Sequence, residues 1–280
     1  MREYAFKLVN VFAEQHFGGN PLAVFAEADG LSDEAMQQIA RQFNLSETVF
    51  AFQGTGGAAA DLRIFTPEYE LPLAGHPTLG SAYVLQRQRG LGADFVLNTR
   101  AKAVRLHGEG NKMTMRISGY TCRAATAGRE NLADALSLPA EAVAEQAFWV
   151  NSGSPQLLLQ VRDTVALQQA RADVGKLTAI CQTDGGRVMV YLWCEQGDAV
   201  HARMLFEQNG AILEDSGTGS AAANLGAYYA TRGLAPIART IAQGDAMQRP
   251  NRLYLRVDAE ENIFVGGRVV EVGEGMFRLP

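Results

Sequence analysis

Apolar and polar positions alternate along much of the chain, which is the pattern of half-buried β-strands. In the first such segment, Phe6, Leu8, Asn10 and Phe12 occupy alternate positions. An apolar run follows at residues 22–25, and another strand is predicted at 47–52, beginning with Glu47. Further strands are predicted at residues 61–65, 104–106, 112–117, 156–161, 187–193, 200–206, 253–257 and 268–272.

Three segments have helical patterns instead. Ser32 is a typical N-cap ahead of an acidic first turn, and the apolar residues at 36, 39, 40 and 43 form one stripe. A second helix is predicted to start at 75–77, with Pro77 at its first position, and to end near Gly90. The third opens at 217–220 and closes at 232–233. The second and third helices have almost no polar face, so we expect other structure to surround both.

These two apolar helices indicate an internal duplication. Aligning residues 80–82 with 219–221, both Gly-Ser-Ala, gives an offset of 139, which is close to half of the 280 residues. The same offset sets His76 against Asp215, each at or just before a helix start. We therefore predict two similar halves, each wrapping strands around a buried helix.

Composition limits the class of protein. The chain is 47% hydrophobic and 20% charged, with a net charge of -5, so it has enough apolar residues for a large core and no cationic surface for nucleic acid. Its three cysteines lack the spacing of a disulfide framework or a zinc site. No apolar run has the length of a membrane span, and no targeting segment is recognised. A soluble, cytoplasmic protein is expected.

The 29 glycines are concentrated in loops, and two glycine-rich loops precede the apolar helices. A helix start presents free N–H groups and the positive end of the helix dipole, which together favour an anion. Two such loops would face one another across the cleft between the halves. We expect that cleft to bind a small ligand that carries a carboxylate.

Four side chains are candidates for chemistry, and each has a structural alternative. Burial of Glu47 against apolar neighbours would suit a general acid or base, whereas a strand-end glutamate is commonly solvated. His76 suits acid–base work or a core hydrogen bond. Asp215 suits a site or simply the capping of the third helix, and Ser220 suits a site or simply a hydrogen bond to a backbone group of the first turn.

Other reaction types lack their residues. A thiol-based proton transfer needs cysteines in the two loops, and neither 75–81 nor 215–220 contains one. The G-x-S-x-G sequence of serine hydrolases is missing, and the four histidines include no pair at i, i+4 spacing for a metal.

The chain resembles the PhzF family, phenazine-biosynthesis-like isomerases with the diaminopimelate epimerase fold. The matching motifs occur in order over nearly the whole sequence. They are residues 11–12, 19–21, 45–50, 70–80, 214–215, 218–221, 243–244 and 249–250.

The resemblance implies an α+β fold of two pseudo-symmetric domains, each a curved, mostly antiparallel, barrel-like sheet around a central helix. We assign them to residues 1–122 and 123–280, with the terminal strand able to cross back to the first domain. It also implies a homodimer, no metal and no organic cofactor.

The resemblance also implies an isomerase that moves a proton on a small, carboxylate-bearing, cyclic substrate. Glu47 matches the glutamate that removes a proton from carbon, and His76, Asp215 and Ser220 match supporting polar residues. The substrate-binding residues it implies are Gly75, Thr218 and Gly219.

Two positions depart from the family pattern. Ser216-Gly217 stands where Pro-Ala is frequent, and Asn251 stands where serine is common. We expect this loop to be more flexible as a result.

Two alternatives to the isomerase remain. One is an amino-acid epimerase or racemase, which normally needs two opposed acid/base groups. The other is a non-catalytic protein that binds a small molecule or a partner.

Overall fold

The structure is a computed structural model, and it describes residues 2–279. Its helices are α1 Asp33–Phe43, α2 Gly75–Arg89, α3 Arg129–Ala135, α4 Thr164–Gln169, α5 Val174–Thr183 and α6 Gly219–Thr231. Its strands are β1 Arg2–Val11, β2 Asn20–Phe25, β3 Thr48–Gln53, β4 Ala60–Phe65, β5 Glu70–Leu71, β6 Asp94–Asn98, β7 Ala103–Glu109, β8 Lys112–Ile117, β9 Thr121–Ala124, β10 Phe148–Asn151, β11 Pro155–Gln160, β12 Met189–Gln196, β13 Ala199–Gln208, β14 Ala211–Asp215, β15 Ile237–Gln243, β16 Asn251–Val257 and β17 Ile263–Leu279. None of the helices within 2–279 is long and apolar enough to span a bilayer.

The chain divides into two compact units. Unit 1 contains the residues up to Arg116 together with those from Gly266 onward, and unit 2 contains Ile117–Val265. The long strand β17 therefore starts in unit 2 and continues in unit 1. Unit 2 begins at Ile117, whereas we placed the start of the second domain at residue 123.

Unit 1 contains a closed barrel of eight strands. Strand β1 pairs with β2, and the ladder continues through β3, β4, β6, β7 and β8 to β17, which pairs again with β1. Only the β2–β3 and β4–β6 pairings are parallel among those whose direction is given. Helix α2 contacts β1, β2, β3 and β7, and its residues from His76 to Leu85 are all buried.

Unit 2 repeats this order of elements. Strand β10 pairs with β11, which is followed by β12, β13, β15 and β16, and again two of these pairings are parallel. Short strand β14 adds to β13 as β5 adds to β4. Helix α6 contacts strands β9, β10, β11 and β16, and most of its residues are buried. The predicted α+β class, with a curved and mostly antiparallel sheet around an apolar helix in each half, is confirmed.

The two enclosed helices depend on small residues to lie close to the strands. A Cβ atom added at Gly80 would lie 2.5 Å from the Leu22 side chain and 2.9 Å from that of Val11. In unit 2, a Cβ at Gly226 would lie 2.8 Å from Ile263. The apolar, small-residue composition that we noted in the sequence is therefore what permits close packing on every side.

Local sequence signals explain the helix ends. Ser32 caps α1 by accepting a hydrogen bond from the Ala35 amide, as predicted, and Gly90 ends α2 in the left-handed conformation. Pro77 is the third residue of α2 rather than the first. This position is equally tolerant of proline, because the first four N–H groups of a helix have no intrahelical partner.

Between residues 104 and 206 we predicted strands and named no helix, and the structure has three helices there. Helices α3, α4 and α5 lie in this part of the chain and cover one face of the unit 2 sheet, burying Leu132, Leu167 and Leu177 in a shared core. The signals for two of them were present, because Asp163 and Asp173 each cap the following helix through the side chain. Such short segments carry too little periodicity to be recognised.

Each unit has an arginine that donates to both carboxylate oxygens of a glutamate just before the enclosed helix. Arg63 donates to both carboxylate oxygens of Glu70, at 2.5 and 2.7 Å. Arg203 donates to both oxygens of Glu214, at 3.2 and 2.8 Å. In each case the helix begins five residues after the glutamate, at Gly75 or Gly219.

These pairs correct the internal alignment. The arginines are 140 residues apart, whereas the glutamates and the helix starts are 144 apart, because the β13–β14 hairpin is four residues longer than β4–β5. The offset of 139 therefore aligns the strands that carry the two arginines to within one residue, but it misaligns the two enclosed helices by five residues. The residue of α6 that corresponds to His76 is Ser220, not Asp215. A Gly-Ser-Ala match within two small-residue helices is too common a pattern to set the alignment.

We predict that the Arg63–Glu70 pair stabilises unit 1 in a pH-dependent way. The Arg63 guanidinium holds the pKa of the Glu70 carboxyl below its usual value, so the stabilisation is present near neutral pH. It is lost in acid, because below about pH 4.3 the unfolded chain takes up the proton first. Glu70→Gln should lower the free energy of unfolding by about 1–3 kcal/mol at pH 7.

Urea denaturation at pH 7 and at pH 3.5 measures this difference. The difference in the free energy of unfolding between wild type and Glu70→Gln should be smaller at pH 3.5 than at pH 7. Glu109→Gln, at an exposed glutamate of β7, is the matched control and should change stability little at either pH. If Glu70→Gln lowers the free energy of unfolding equally at both pH values, the Arg63–Glu70 pair is not the source of a pH-dependent stabilisation.

Candidate functional site

Glu47 directly precedes strand β3, one residue outside the predicted strand start. Its side chain is only 15% exposed, and its Oε2 atom is buried. The next residues, Thr48, Val49 and Phe50, are fully buried and pair with β4. The strand therefore holds the Glu47 carboxylate at the end of an apolar segment, where water solvates it poorly.

His76 is the side chain that meets Glu47. Its Nε2 atom lies 3.4 Å from Oε2 of Glu47, at the long end of hydrogen-bonding range, and the imidazole is 6% exposed. His76 is the second residue of α2, so its backbone N–H belongs to the helix start. The capping position, Ala74, provides no side-chain oxygen to this start.

In unit 2, Asp215 and Thr218 are joined by a short hydrogen bond. The Thr218 hydroxyl donates to Oδ2 of Asp215 at 2.5 Å. Gln243, fully buried, donates its side-chain N–H to the same hydroxyl at 2.9 Å and to the Asp215 carbonyl at 2.8 Å. The hydroxyl proton of Thr218 is thus donated to Asp215, and Gln243 is hydrogen-bonded to both residues.

Gly219 and Ser220 are the first two residues of α6. The first helical hydrogen bond of this turn runs from the Ala222 N–H to the Thr218 carbonyl, so the N–H groups before Ala222 point away from the helix body. Thr218 makes no side-chain cap, just as Ala74 makes none in unit 1. The Ser220 hydroxyl instead accepts a hydrogen bond from Gln156.

The two departures from the family pattern meet in the structure. A Cβ added at Gly217 would lie against Oδ1 of Asn251 and 2.6 Å from its Cγ. Asn251 is fully buried and donates to the Arg249 carbonyl at 2.8 Å. We expected glycine to make this loop more flexible, but the larger Asn251 side chain occupies the space that glycine leaves.

Two of the three cysteines are buried. Burial raises the pKa of the thiols of Cys181 and Cys194 to about 11, and both lie in the unit 2 core. Within residues 2–279, no group of three or more histidine, cysteine, aspartate or glutamate side chains is arranged to hold a metal ion.

The structure thus brings together Glu47 and His76 in unit 1, and Asp215 and Thr218 in unit 2. Sequence reasoning missed the buried amides of Gln156 and Gln243, which contact the predicted site residues. Gln243 lies in a motif that we quoted for its resemblance alone. Gln156 follows an ordinary strand pattern, and nothing local to it indicates a polar role.

We predict that Gly217 and Asn251 depend on one another. Gly217→Ala should lower the free energy of unfolding by about 1–3 kcal/mol, because the new methyl group meets a side chain that cannot move into solvent. In that background, Asn251→Ser should restore at least half of the loss. Thermal and urea denaturation of both single variants and the double variant give the coupling energy.

Gly92→Ala is the control for the effect of the substitution itself, since a Cβ at Gly92 meets no atom within 4 Å. Strictly additive effects of Gly217→Ala and Asn251→Ser would show that the two residues are not coupled.

Comparison with known proteins identifies the family. The family model described as PhzC-PhzF, phenazine biosynthesis-like protein, matches residues 9–275. An uncharacterised isomerase of Pasteurella multocida is 46% identical, covering 99% of this chain and 95% of its own length. The trans-2,3-dihydro-3-hydroxyanthranilate isomerase of Pseudomonas aeruginosa is 32% identical and covers 91% of each chain.

A solved structure supports the same assignment of fold. The PhzF family phenazine biosynthesis protein of Bacillus anthracis superposes with a TM-score of 0.87 over the full length of both chains, at 23% identity. The chain therefore belongs to the PhzC-PhzF family of phenazine biosynthesis-like proteins, and it is an isomerase.

Proposed function

We propose that this isomerase moves a proton on a small, cyclic, carboxylate-bearing substrate, with Glu47 as the general acid and base and without a cofactor. The contact that carries the proposal is the 3.4 Å approach of Glu47 Oε2 to His76 Nε2, both on side chains that are at most 15% exposed. A poorly solvated carboxylate beside an imidazole is a suitable group to take a proton from carbon and to return it.

The proposed reaction is an isomerisation, in which one substrate molecule loses a proton from one carbon and gains one at another. Glu47 takes a proton from a ring carbon next to an unsaturated system, and the electron pair of the broken C–H bond moves into that system. The protonated Glu47 exchanges its proton with solvent and returns a proton to another carbon, so substrate and product have the same composition. The developing negative charge is stabilised by hydrogen-bond donors, which in unit 1 are His76 and the N–H groups at the start of α2.

For unit 2 we propose that the start of α6 binds an anionic group. Its donors are the backbone N–H groups of Gly219 and Ser220, and the positive end of the helix dipole favours negative charge there. Asp215 and Thr218 would support this loop through the hydrogen bond between them. The homodimer implied by the resemblance stays a prediction.

The substrate that we choose for the test comes from a relative. The Pseudomonas aeruginosa protein is named for trans-2,3-dihydro-3-hydroxyanthranilate, a ring that carries a carboxylate. An epimerase with two opposed thiols is disfavoured, because the residues that precede the two helices are Ala74 and Thr218.

We predict that Glu47→Gln lowers kcat for trans-2,3-dihydro-3-hydroxyanthranilate by about 10²–10⁴-fold, which is the usual contribution of general acid–base catalysis. KM should change little, because glutamine has the same shape and keeps its contacts. Chromatographic measurement of initial rates tests this. Glu27→Gln, at an exposed glutamate of the same unit, is the control and should retain full activity.

Two results would overturn the proposal. One is a Glu47→Gln variant that keeps more than a tenth of wild-type kcat. The other is a wild-type protein that binds this substrate without converting it, which would favour the non-catalytic alternative.

A further inference from the structure

A buried chain of polar side chains ends at Ser220. Ser152 donates through both its backbone N–H and its hydroxyl to Oδ1 of Asn224, at 2.8 and 2.7 Å. Asn224 donates through Nδ2 to the Ser154 carbonyl at 2.9 Å and to Oε1 of Gln156 at 2.8 Å. Gln156 donates through Nε2 to the Ser220 hydroxyl at 2.9 Å. Asn224 and Gln156 are both fully buried.

The direction of every hydrogen bond in this chain is fixed by the backbone. The Ser152 N–H can only donate, so the Asn224 atom that faces it must be the oxygen. The Ser154 carbonyl can only accept, so the other end of the Asn224 amide must be the nitrogen. This nitrogen faces Gln156, which must therefore present its oxygen to Asn224 and its nitrogen to Ser220.

These directions determine how the Ser220 hydroxyl is oriented. Because Gln156 Nε2 has no lone pair to accept with, the Ser220 oxygen must be the acceptor of their bond, and its own proton points elsewhere. Within residues 2–279, no side-chain or backbone acceptor is seen for that proton. Ser220 is half-buried, so a ligand can reach it. Thr218 differs, because its proton is already donated to Asp215.

The corresponding place in unit 1 has no such chain. Asn224 is the sixth residue of α6, and the sixth residue of α2 is Gly80. A Cβ at Gly80 would meet the apolar side chains of Leu22, Val11 and Val9. In unit 1 the fold therefore forms with apolar contacts at this helix position. A buried, fully hydrogen-bonded polar chain is not required for the same fold in unit 2. This difference indicates that the polar chain of unit 2 has a role beyond folding.

We propose that Gln156 and Asn224 are positioning residues that set the Ser220 hydroxyl as a hydrogen-bond donor to a carboxylate oxygen of the ligand. This inference rests on the anion-binding function proposed for the start of α6, since it names a contact made there. Gln156 and Asn224 act only through Ser220.

The substitution Gln156→Glu tests the direction of the bond. A glutamate at this position still accepts from Asn224, but its second oxygen accepts from Ser220 instead of donating to it. The Ser220 proton would then turn toward residue 156, and the lone pairs of the hydroxyl would face the ligand. The probe is anthranilate, a stable aromatic carboxylate whose binding is followed by its fluorescence and requires no proton transfer.

The expected result is strong coupling between the two positions, so that the effect of Ser220→Ala depends on the residue at position 156. In the wild-type background, Ser220→Ala should weaken anthranilate binding about tenfold or more, as expected for a lost hydrogen bond to a charged group. In the Gln156→Glu background, Ser220→Ala should change the Kd by less than about twofold, because the hydroxyl no longer donates. Repulsion by the new carboxylate is common to both members of that second pair and cancels.

Equal effects of Ser220→Ala in the two backgrounds would overturn the proposal, as would the absence of anthranilate binding to the wild type. Thermal denaturation shows whether each variant is folded. If Gln156→Glu does not fold, Gln156→Met replaces it. Methionine neither donates to Ser220 nor accepts strongly from it, so the hydroxyl loses its fixed orientation, and Ser220→Ala should weaken anthranilate binding by a smaller factor than in the wild-type background. Glu47→Gln should bind anthranilate normally, so failure of the proposed proton transfer is distinguishable from failure of this contact.

Discussion

A helix that is enclosed by a sheet must still satisfy the N–H groups of its first turn, and this constraint shapes both halves of the protein. Neither Ala74 nor Thr218 supplies a side-chain cap to its helix. Donors are therefore left at the two points where the chain also places Glu47, His76, Asp215 and Ser220. We infer that these helix starts are kept uncapped because a ligand uses them.

The two units share a scaffold and differ in its chemistry. Each has a bidentate arginine–glutamate pair five residues ahead of its enclosed helix, which fixes the short strand that leads into the helix. Beyond that point they diverge, because the second helical residue is His76 in one unit and Ser220 in the other. The polar partner differs as well: a carboxylate meets the histidine, and a buried amide meets the serine.

Much of the fold could be predicted from the sequence, because strong local signals specify it. The Ser32 cap, the apolar stripe of α1 and the unbroken apolar character of α2 and α6 each reflect one dominant interaction. The alignment of the halves could not be obtained this way, because four extra residues in one hairpin shift everything after it. The short helices α3–α5 were missed because tertiary packing, rather than local periodicity, stabilises them.

Part of the candidate site could be predicted from the sequence. Motif resemblance grouped Glu47 and His76, which are 29 residues apart, in one candidate site, and their side chains lie in contact. Gln156 could not be found, because its hydrogen bonds form only when β11 and α6 pack together and bring it to Asn224, 68 residues away in sequence. The same holds for Gly217 and Asn251, which the sequence shows as two separate departures and the structure shows as one contact.

The measurement that tests the central claim most directly is the incorporation of solvent deuterium into carbon. The protein is incubated with trans-2,3-dihydro-3-hydroxyanthranilate in deuterated water, and the recovered product is analysed by mass spectrometry and NMR. We predict carbon-bound deuterium with the wild type and none above background with Glu47→Gln. Incorporation by the Glu47→Gln variant at the wild-type rate would contradict the assignment of Glu47 as the group that moves the proton.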